Sequence, residues 1–529
     1  MSRTTRLLIL AFAIGALLVP SAQASPAQTS IMMDDDLLLY RNDDTAAKAL
    51  VAMKKIGVDT VRVTVLWKVV AENARPSKAE IAKLTGSKKE NARKQARRFK
   101  ATNPSTYPRR NWDRFDNLVR SAARAGIKIY FNVTGPGPAW AHTKPPNAQR
   151  SLHATWKPRP SAYKQFVTAV GKRFDGTYRD ENGDRSVLPR VSFWSLWNEP
   201  NQAGWLTPQW ENGVPASPGL YRKLYQYGYR GLLASGHYVG KDLILMGETA
   251  PLGSDAKGPK TPMRPGLFLR ELATGAGAAA DFAARGPLVA NGYAHHPYTK
   301  NVPPTVADPN PDALTMANIS TLGTLLDGLS AQTSGAIPAG MPLFMTEFGF
   351  ETNPPDPFSG VPLNDQAKFN TIGEFMAWQN PRIASQAQFL YRDVDPVRSH
   401  PKTSKAFWFT YQSGLFFRNG TPKPSLGAYQ MPFLAFNSNT LDPTTGAPIY
   451  SLWGQLRLLT NDRAASATIQ WRAQDGSTPW ISVGDPIAID TMGYFTGTRV
   501  APLPVAGEWR SAIVNPADGA VLTYSPGAS

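Results

Sequence analysis

The chain has 529 residues, 42% of them hydrophobic and 18% charged, a globular composition with material for two or three domains and a large core. It contains no cysteine, which excludes disulfides, thiolate metal sites and cysteine nucleophiles. The formal charge of +18 is unevenly spread, because residues 78–110 hold eleven Lys or Arg against two Glu, half of the whole surplus.

The chain opens with Arg3, Arg6, the apolar run LLILAFAIGALLV and the small-x-small triplet Ala22-Gln23-Ala24, the pattern of a secretory signal. Residues 1–24 are expected to be a signal peptide and the product to be secreted to the extracellular space. No transmembrane segment is expected after cleavage. SIMMDDDLLLY (30–40) and DTVRVTVLW (59–67) read as strands. The basic segment 78–110 reads as a helical insertion with little apolar face. It is either a solvated surface or a contact for an acidic polymer or envelope surface. Nucleic acid is not an expected partner, as no nucleic-acid module is recognisable.

Helical periodicity follows at 112–127, 163–176, 218–235, 313–329 and 364–380. The strands are KIYFNVT, RVSFWSLWNEP, DLILMGETAP, LVANGYAHHPY, PLFMTEFGF and QAQFLYRDV. Eight strand–helix units with near-continuous apolar strands predict an α/β chain built on a closed (β/α)₈ TIM barrel over residues 25–430. No glycine-rich phosphate fingerprint follows an early strand, which argues against a dinucleotide-binding fold. After about residue 430 the helical period vanishes, and short alternating runs punctuated by Gly, Pro, Asp and Asn predict an antiparallel β-sandwich over 431–529.

In such a barrel the functional face lies at the C-terminal ends of the strands. The polar residues there are Arg62 on strand two, Asn132 on strand three, Asn198 and Glu199 on strand four, and Glu248 on strand five. His295, His296 and Tyr298 follow on strand six, Glu347 on strand seven, and Tyr391 with Arg392 on strand eight. Two apolar runs end in Glu, in SLWNEP and FMTEFGF. Strands four and seven lie across the barrel mouth, so Glu199 and Glu347 can converge. Facing carboxyls suit glycosidic bond cleavage, where one must be protonated and the other ionised. Glu248 reads as a binding or structural residue. His295, His296 and nearby acids lack a convincing metal spacing, so no metal and no cofactor are expected.

WNEPN on strand four, TEFG on strand seven, Arg on strand two and His-x-Tyr on strand six resemble clan A of the glycoside hydrolases, retaining (β/α)₈ enzymes that include the cellulase-like family five. The resemblance covers roughly residues 30–430 and implies a secreted glycosidase hydrolysing O-glycosyl bonds of a poly- or oligosaccharide by double displacement. It implies Glu199 as acid/base, Glu347 as nucleophile, and Asn198 as the group that binds the sugar 2-hydroxyl. Arg62 holds the nucleophile, and His296 and Tyr298 match the strand-six pair. Trp67, Trp140 and Trp205 are candidate sugar platforms, and Asn132 joins the substrate-binding set. Many clan members carry Trp at the end of strand eight. Here the strand reads FLYRDVD, and Tyr391 or Trp408 is expected to substitute. Trp453, Trp471 or Trp480 of the sandwich could bind carbohydrate or simply pack. The alternatives are a non-catalytic carbohydrate-binding protein on the same barrel, or a transglycosylase.

Overall fold

The computed structural model of the chain describes residues 28–181, 185–457, 466–514 and 521–527, so the expected signal segment 1–24 lies outside the described residues. Eight parallel strands close into a barrel: β1 (Thr29–Met33), β2 (Thr60–Leu66), β3 (Lys128–Thr134), β4 (Phe193–Leu196), β5 (Leu243–Thr249), β6 (Gly292–His295), β7 (Leu343–Met345) and β8 (Ile383–Phe389). Helices α1 (Asp43–Lys55), α2 (Asp113–Ala125), α3 (Pro160–Arg173), α4 (Ser217–Leu233), α5 (Pro265–Thr274), α6 (Ile319–Gln332) and α7 (Leu363–Gln379) return the chain between successive strands, and α8 (Pro424–Gln430) follows β8. The TIM barrel expected from the alternating pattern is the fold observed.

Strand alternation decides which residues reach the lumen. On β2, Val61, Val63 and Val65 are fully buried in the outer core between sheet and helices, which turns Arg62 and Thr64 inward. The lower lumen is filled by Ile31, Tyr130, Phe193, Leu245, Ala294, Phe344 and Ala387, one residue from each strand but β2. Tyr130 and Phe193 stack there at 3.9 Å. Outside, α2 buries Phe115, Leu118, Val119 and Ala122 at helical spacing, and Gly126 closes it at φ +67°.

The expected strand 30–40 is shorter than its sequence suggests. Only Thr29–Met33 is extended, and Asp34 caps a short helix (Asp35–Leu39) by accepting the Leu37 N–H at 2.9 Å. Three successive aspartates favour a helix start over a strand because their carboxylates capture free backbone N–H groups. The basic insertion forms helices Lys78–Ala82 and Gly86–Arg98 in the connection leaving β2. Ala92 is the one buried residue of these two helices, and the insertion is anchored by Phe99 against Tyr107 (5.1 Å) and Trp140 (5.7 Å).

The C-terminal part is antiparallel, as expected. Its longer strands are β9 (Phe433–Leu441), β10 (Pro448–Gln455), β11 (Ser466–Ala473), β12 (Tyr494–Val500), β13 (Gly507–Val514) and β14 (Val521–Tyr524). One sheet runs β9–β10–β12, and the other holds β11–β13–β14. Phe433, Leu452, Phe495, Trp471 and Trp509 form the core between them. The alternating runs expected from sequence begin at IYSLWGQLRLL and omit β9. Trp453 and Trp471 are not carbohydrate platforms, because Trp453 is buried against Phe375 and Trp378 of α7 and Trp471 is fully buried in the sandwich core. Trp480 packs against the guanidinium groups of Arg472 (4.6 Å) and Arg510 (4.3 Å). An Arg457–Glu374 ion pair at 2.6 Å ties the segment after β10 to α7. Among the described residues no helix is long and apolar enough to cross a membrane.

Candidate active site

The run VSFWSLWNEPN ends β4 at Leu196, and the next residues leave ordinary strand geometry. Trp197 and Glu199 take φ of +75° and +35°, conformations that cost a non-glycine residue energy. The bend is held from several sides. The Trp197 N–H donates to the Val133 carbonyl (2.9 Å) and the Glu199 N–H to the Glu248 carbonyl (2.8 Å). Asn201 donates to the Ala250 and Met263 carbonyls at 2.9 Å each. Gln209 donates to the Pro200 carbonyl at 2.9 Å. The Gly-Pro loop after β3 lies against the same feature, since a Cβ on Gly135 would come within 2.6 Å of the Trp197 ring.

A second distortion occurs on β5. Leu245 points into the lumen, so simple alternation would send Glu248 outward. The β5–β6 register slips between Gly247 and Thr249, with φ of +105° at Gly247 and +52° at Glu248. The bulge turns Glu248 into the lumen, a known use of such irregularities. A side chain on Gly247 would meet the Ala294 carbonyl at 2.5 Å, so glycine is required there.

These elements bring Arg62, Asn198, Glu199, Glu248, His296, Tyr298 and Glu347 together. Arg62, fully buried, donates to Glu347 Oε1 (2.8 Å), Asn198 Oδ1 (2.7 Å) and Glu248 Oε2 (3.0 Å). His296 bonds Glu199 Oε1 through Nδ1 (3.0 Å) and Glu248 Oε2 through Nε2 (2.7 Å). The Tyr298 hydroxyl donates to Glu347 Oε2 at 3.1 Å. One carboxylate oxygen each of Glu199 and Glu347 and one His296 nitrogen lie within 4.8 Å of one another. Glu199 is the more open of the two acids, its side chain 21% exposed against 10% for Glu347.

The electrostatics follow from this wiring. Burial favours neutral Glu248, but Arg62, His296 and the Ser195 hydroxyl outweigh it and hold the carboxyl well below the usual carboxylate range. Burial favours neutral His296, but the charge of Glu347 and the bonds to Glu199 and Glu248 raise it to about 10. Burial pushes the Glu347 carboxyl up, opposed by His296 and Arg62 and reinforced by Glu199 and Glu248. Burial raises Tyr298, and nearby Glu347 and Glu199 raise it further, so it stays a donor. An imidazolium offers no lone pair, and both His296 nitrogens are already committed to carboxylates. As hydrogen-bonded here, the Glu199–His296–Glu347 trio is an ion-pair cluster.

A cleft of about 920 Å³ opens over this cluster. Asn198, Glu199, Trp205, Tyr298 and Glu347 line it, as do Asp35, Glu351 and the aromatic side chains of Tyr40, Phe358, Phe389 and Tyr411. Six residues of the expected substrate-binding set are not in its wall. Two of them, Arg62 and His296, are fully buried beneath it and reach the cleft acids only through hydrogen bonds. Trp67 is fully buried and stacked on Phe166 at 5.3 Å. Its position is odd-numbered like Val61, Val63 and Val65, so it faces the helices, opposite to Arg62. Trp140 packs edge-on against Trp67 (6.1 Å) with Arg75 over its ring. Asn132 is fully buried, donating to Ser195 Oγ (2.8 Å) and the Trp197 carbonyl (2.6 Å), and so supports the bend without facing the cleft. Tyr391 packs on Phe416 (4.9 Å), and Trp408 bonds the Lys402 carbonyl (3.0 Å). Phe389, packed on Tyr298 (6.2 Å) and Tyr411 (5.0 Å), occupies the end of strand eight in their stead. Asp35 was hidden in a run read as strand. It accepts the Thr64 N–H at 3.1 Å, and burial raises its pKa to about 6.

No protein-family model matches this chain, and no curated protein matches it significantly. Solved structures do match. One is GH5_18 from Streptomyces cattleya in complex with GlcNAc, at 16% identity, with 76% of this chain and 78% of that one covered and a TM-score of 0.42. A second is the GH39 enzyme from Xanthomonas axonopodis pv. citri, at 14% identity over 91% and 94% of the chains, with a TM-score of 0.45. A third is a GH5_18 from Bifidobacterium longum subsp. infantis, at 15% identity over 76% and 77%, with a TM-score of 0.44. At these identities and scores the likeness adds nothing to the barrel already described, and function has to be read from the site.

Proposed function

We propose that the protein is a secreted glycoside hydrolase that cleaves O-glycosidic bonds of a poly- or oligosaccharide with retention at the anomeric carbon. The observation that carries this reading is the approach of Glu199 and Glu347 across one cleft, with one carboxylate oxygen of each within 4.8 Å of the other. Retaining enzymes place their carboxyls about 5–5.5 Å apart, whereas inverting enzymes leave about 6.5–9.5 Å for a water.

Roles divide by hydrogen bonding. Both oxygens of Glu347 accept from fixed donors, Arg62 and Tyr298, which favours the ionised nucleophile. Glu199 is tied through Oε1 to His296, which leaves Oε2 for a proton. Glu347 attacks the anomeric carbon as the bond to the leaving oxygen breaks, and that oxygen takes the Glu199 proton. Glu199 then removes a proton from water, whose oxygen displaces Glu347 and frees the sugar. Asn198 uses Oδ1 to accept from Arg62, leaving its amide nitrogen to bind a sugar hydroxyl. Trp205, Tyr40, Phe358, Phe389 and Tyr411 supply flat apolar surface for sugar rings.

A panel of aryl glycosides and polysaccharides tests this, with the product anomer followed by NMR. Wild type releases product of retained configuration, Glu347→Ala and Glu199→Gln lose activity, and azide restores turnover to a Glu347→Ala variant with an inverted azide product. Product of inverted configuration from wild type, or most of the activity surviving in Glu347→Ala, overturns the reading. The helices Lys78–Ala82 and Gly86–Arg98 leave β2 at the cleft end of the barrel and suit contact with an anionic polymer. Retention on a polyanion resin that is unchanged when Lys88, Lys89, Arg93 and Lys94 become Gln would refute that contact.

A further inference from the structure

Glu248 lies beneath the cleft and does not line it, yet five side chains from five strands or their ends converge on its carboxylate. Oε2 accepts from Arg62 (3.0 Å), His296 (2.7 Å) and Thr346 (2.7 Å). Oε1 accepts from Ser195 (2.6 Å) and from the Tyr130 hydroxyl. Every partner can donate, and Arg62 can only donate, so an ionised carboxylate accepts from all five at once. Two of the five, Arg62 and His296, also bond a cleft acid: Arg62 bonds Glu347 (2.8 Å) and His296 bonds Glu199 (3.0 Å).

We propose that Glu248 is a positioning residue that fixes the protonation of the cleft acids through two cationic bridges, Arg62 to Glu347 and His296 to Glu199. This rests on the glycosidase reading. The charge count gives the reason. Two cations, Arg62 and protonated His296, stand against three carboxyls, Glu199, Glu248 and Glu347. The cluster is neutral when one carboxyl keeps its proton. Five donors bar Glu248 from that role, so the proton is left to the cleft pair, which needs one acid and one nucleophile. Without Glu248, His296 loses the partner of its Nε2 and one of the carboxylates that keep it charged, so its bond to Glu199 is less firmly ionic. A fourth carboxyl, Asp35, stands near Arg62 and Glu347 outside this hydrogen-bonded set, and burial raises it to about 6.

The bulge gives an independent argument. A plain strand would bury Glu248 outward among helices, and the slip at Gly247 with a positive φ at Glu248 itself is the device that aims it inward. A strained conformation at a residue that never meets substrate is expected where its charge is needed by residues that do.

The test uses the full-length protein with ¹³C-labelled histidine, whose six imidazoles can be titrated by NMR. In wild type the His296 ring stays protonated through neutral pH. In Glu248→Gln it titrates at least tenfold more easily, with its midpoint moved down. Its kcat/KM falls by about 10²-fold, carried by kcat, on the scale of lost acid–base catalysis. Glu248→Asp keeps the charge and restores the His296 titration toward the wild-type value even where activity stays low. A merely structural Glu248 would lower thermal stability and leave the His296 midpoint unmoved, and that result overturns the proposal. If neither variant folds, wild type still decides, because a His296 that titrates at or below the ordinary imidazole value refutes the bridge. The titration needs no substrate, so its failure is separable from failure of the glycosidase reading, which would show as absence of cleavage by wild type.

Discussion

Replacing Arg62 by Met keeps most of the side-chain volume and removes the charge on which the site is wired. Arg62 is fully buried and serves Glu347 at 2.8 Å and Glu248 at 3.0 Å, so the change strands two carboxylates at once. Removing one partner of a buried pair costs about 3–5 kcal/mol, most of it the penalty of the charge left behind. The cost depends on pH in a definite sense. In wild type, Glu248 is held below the usual carboxylate range, so the stability it contributes is fully present above the ordinary Glu value. It is lost only as pH falls through the depressed folded value. Without Arg62, Glu248, Glu347 and Asp35 all become easier to protonate, and protons taken up on acidification relieve the stranded charges. Carboxyls raised by burial in both proteins, such as Asp34 (about 7) and Asp116 (about 6), cancel in the difference. The expected stability gap between wild type and Arg62→Met is therefore about 3–5 kcal/mol near pH 8 and clearly smaller at about pH 4.5. Urea unfolding followed by tryptophan fluorescence at both values measures it. A gap below about 1 kcal/mol near pH 8, or one of equal size at both values, would show that the buried charges are not coupled as described.

Tyr298→Phe removes one donor from ionised Glu347. A hydrogen bond to a charged group contributes about 1.5–3 kcal/mol, so kcat/KM should fall about ten- to a hundredfold, and its acidic limb should move up because the ionised form has lost support. An acidic limb that stays in place would remove Tyr298 from this role. The two tryptophans that sequence alone treats alike should behave oppositely. Trp67→Ala empties a buried site and should destabilise the barrel by about 3–5 kcal/mol while KM of the folded fraction is unchanged. Trp205→Ala should leave stability nearly intact and raise KM more for a polysaccharide than for a short aryl glycoside. Exchange of these two outcomes would mean that the cleft wall has been misassigned.

How much of the site was legible depended on periodicity holding. Asn198, Glu199, His296, Tyr298 and Glu347 stand just beyond strand ends, where a (β/α)₈ pattern places them on one rim, and residue type then named their chemistry. Arg62 lies inside β2 and reaches them from the lumen below. Trp67 was in part legible and misread, since its odd position matches the valines that face the helices. Trp140 and Tyr391 were not decidable from pattern, because each sits in a loop whose path depends on neighbours far away in sequence. Asn132 lies inside β3, and the bend it supports at Trp197 belongs to another strand. The run Asp34–Asp36 defeated strand counting for a local reason, helix capping. Phe389 and Tyr411 needed the folded loop after β8 to meet over Tyr298.

The sequence by itself determined the barrel, the sandwich and the rim positions of the two acids, because hydrophobic periodicity and strand-end position are properties of contiguous residues. Only the tertiary structure decided that Glu248 belongs to the same cluster. Its parity along β5 points outward, and it is the register slip against β6, closed by Gly247 beside the Ala294 carbonyl, that turns it under Arg62 and His296. A slip between strands is a relation between two segments, set by backbone contacts across the sheet, and no single stretch of chain carries it.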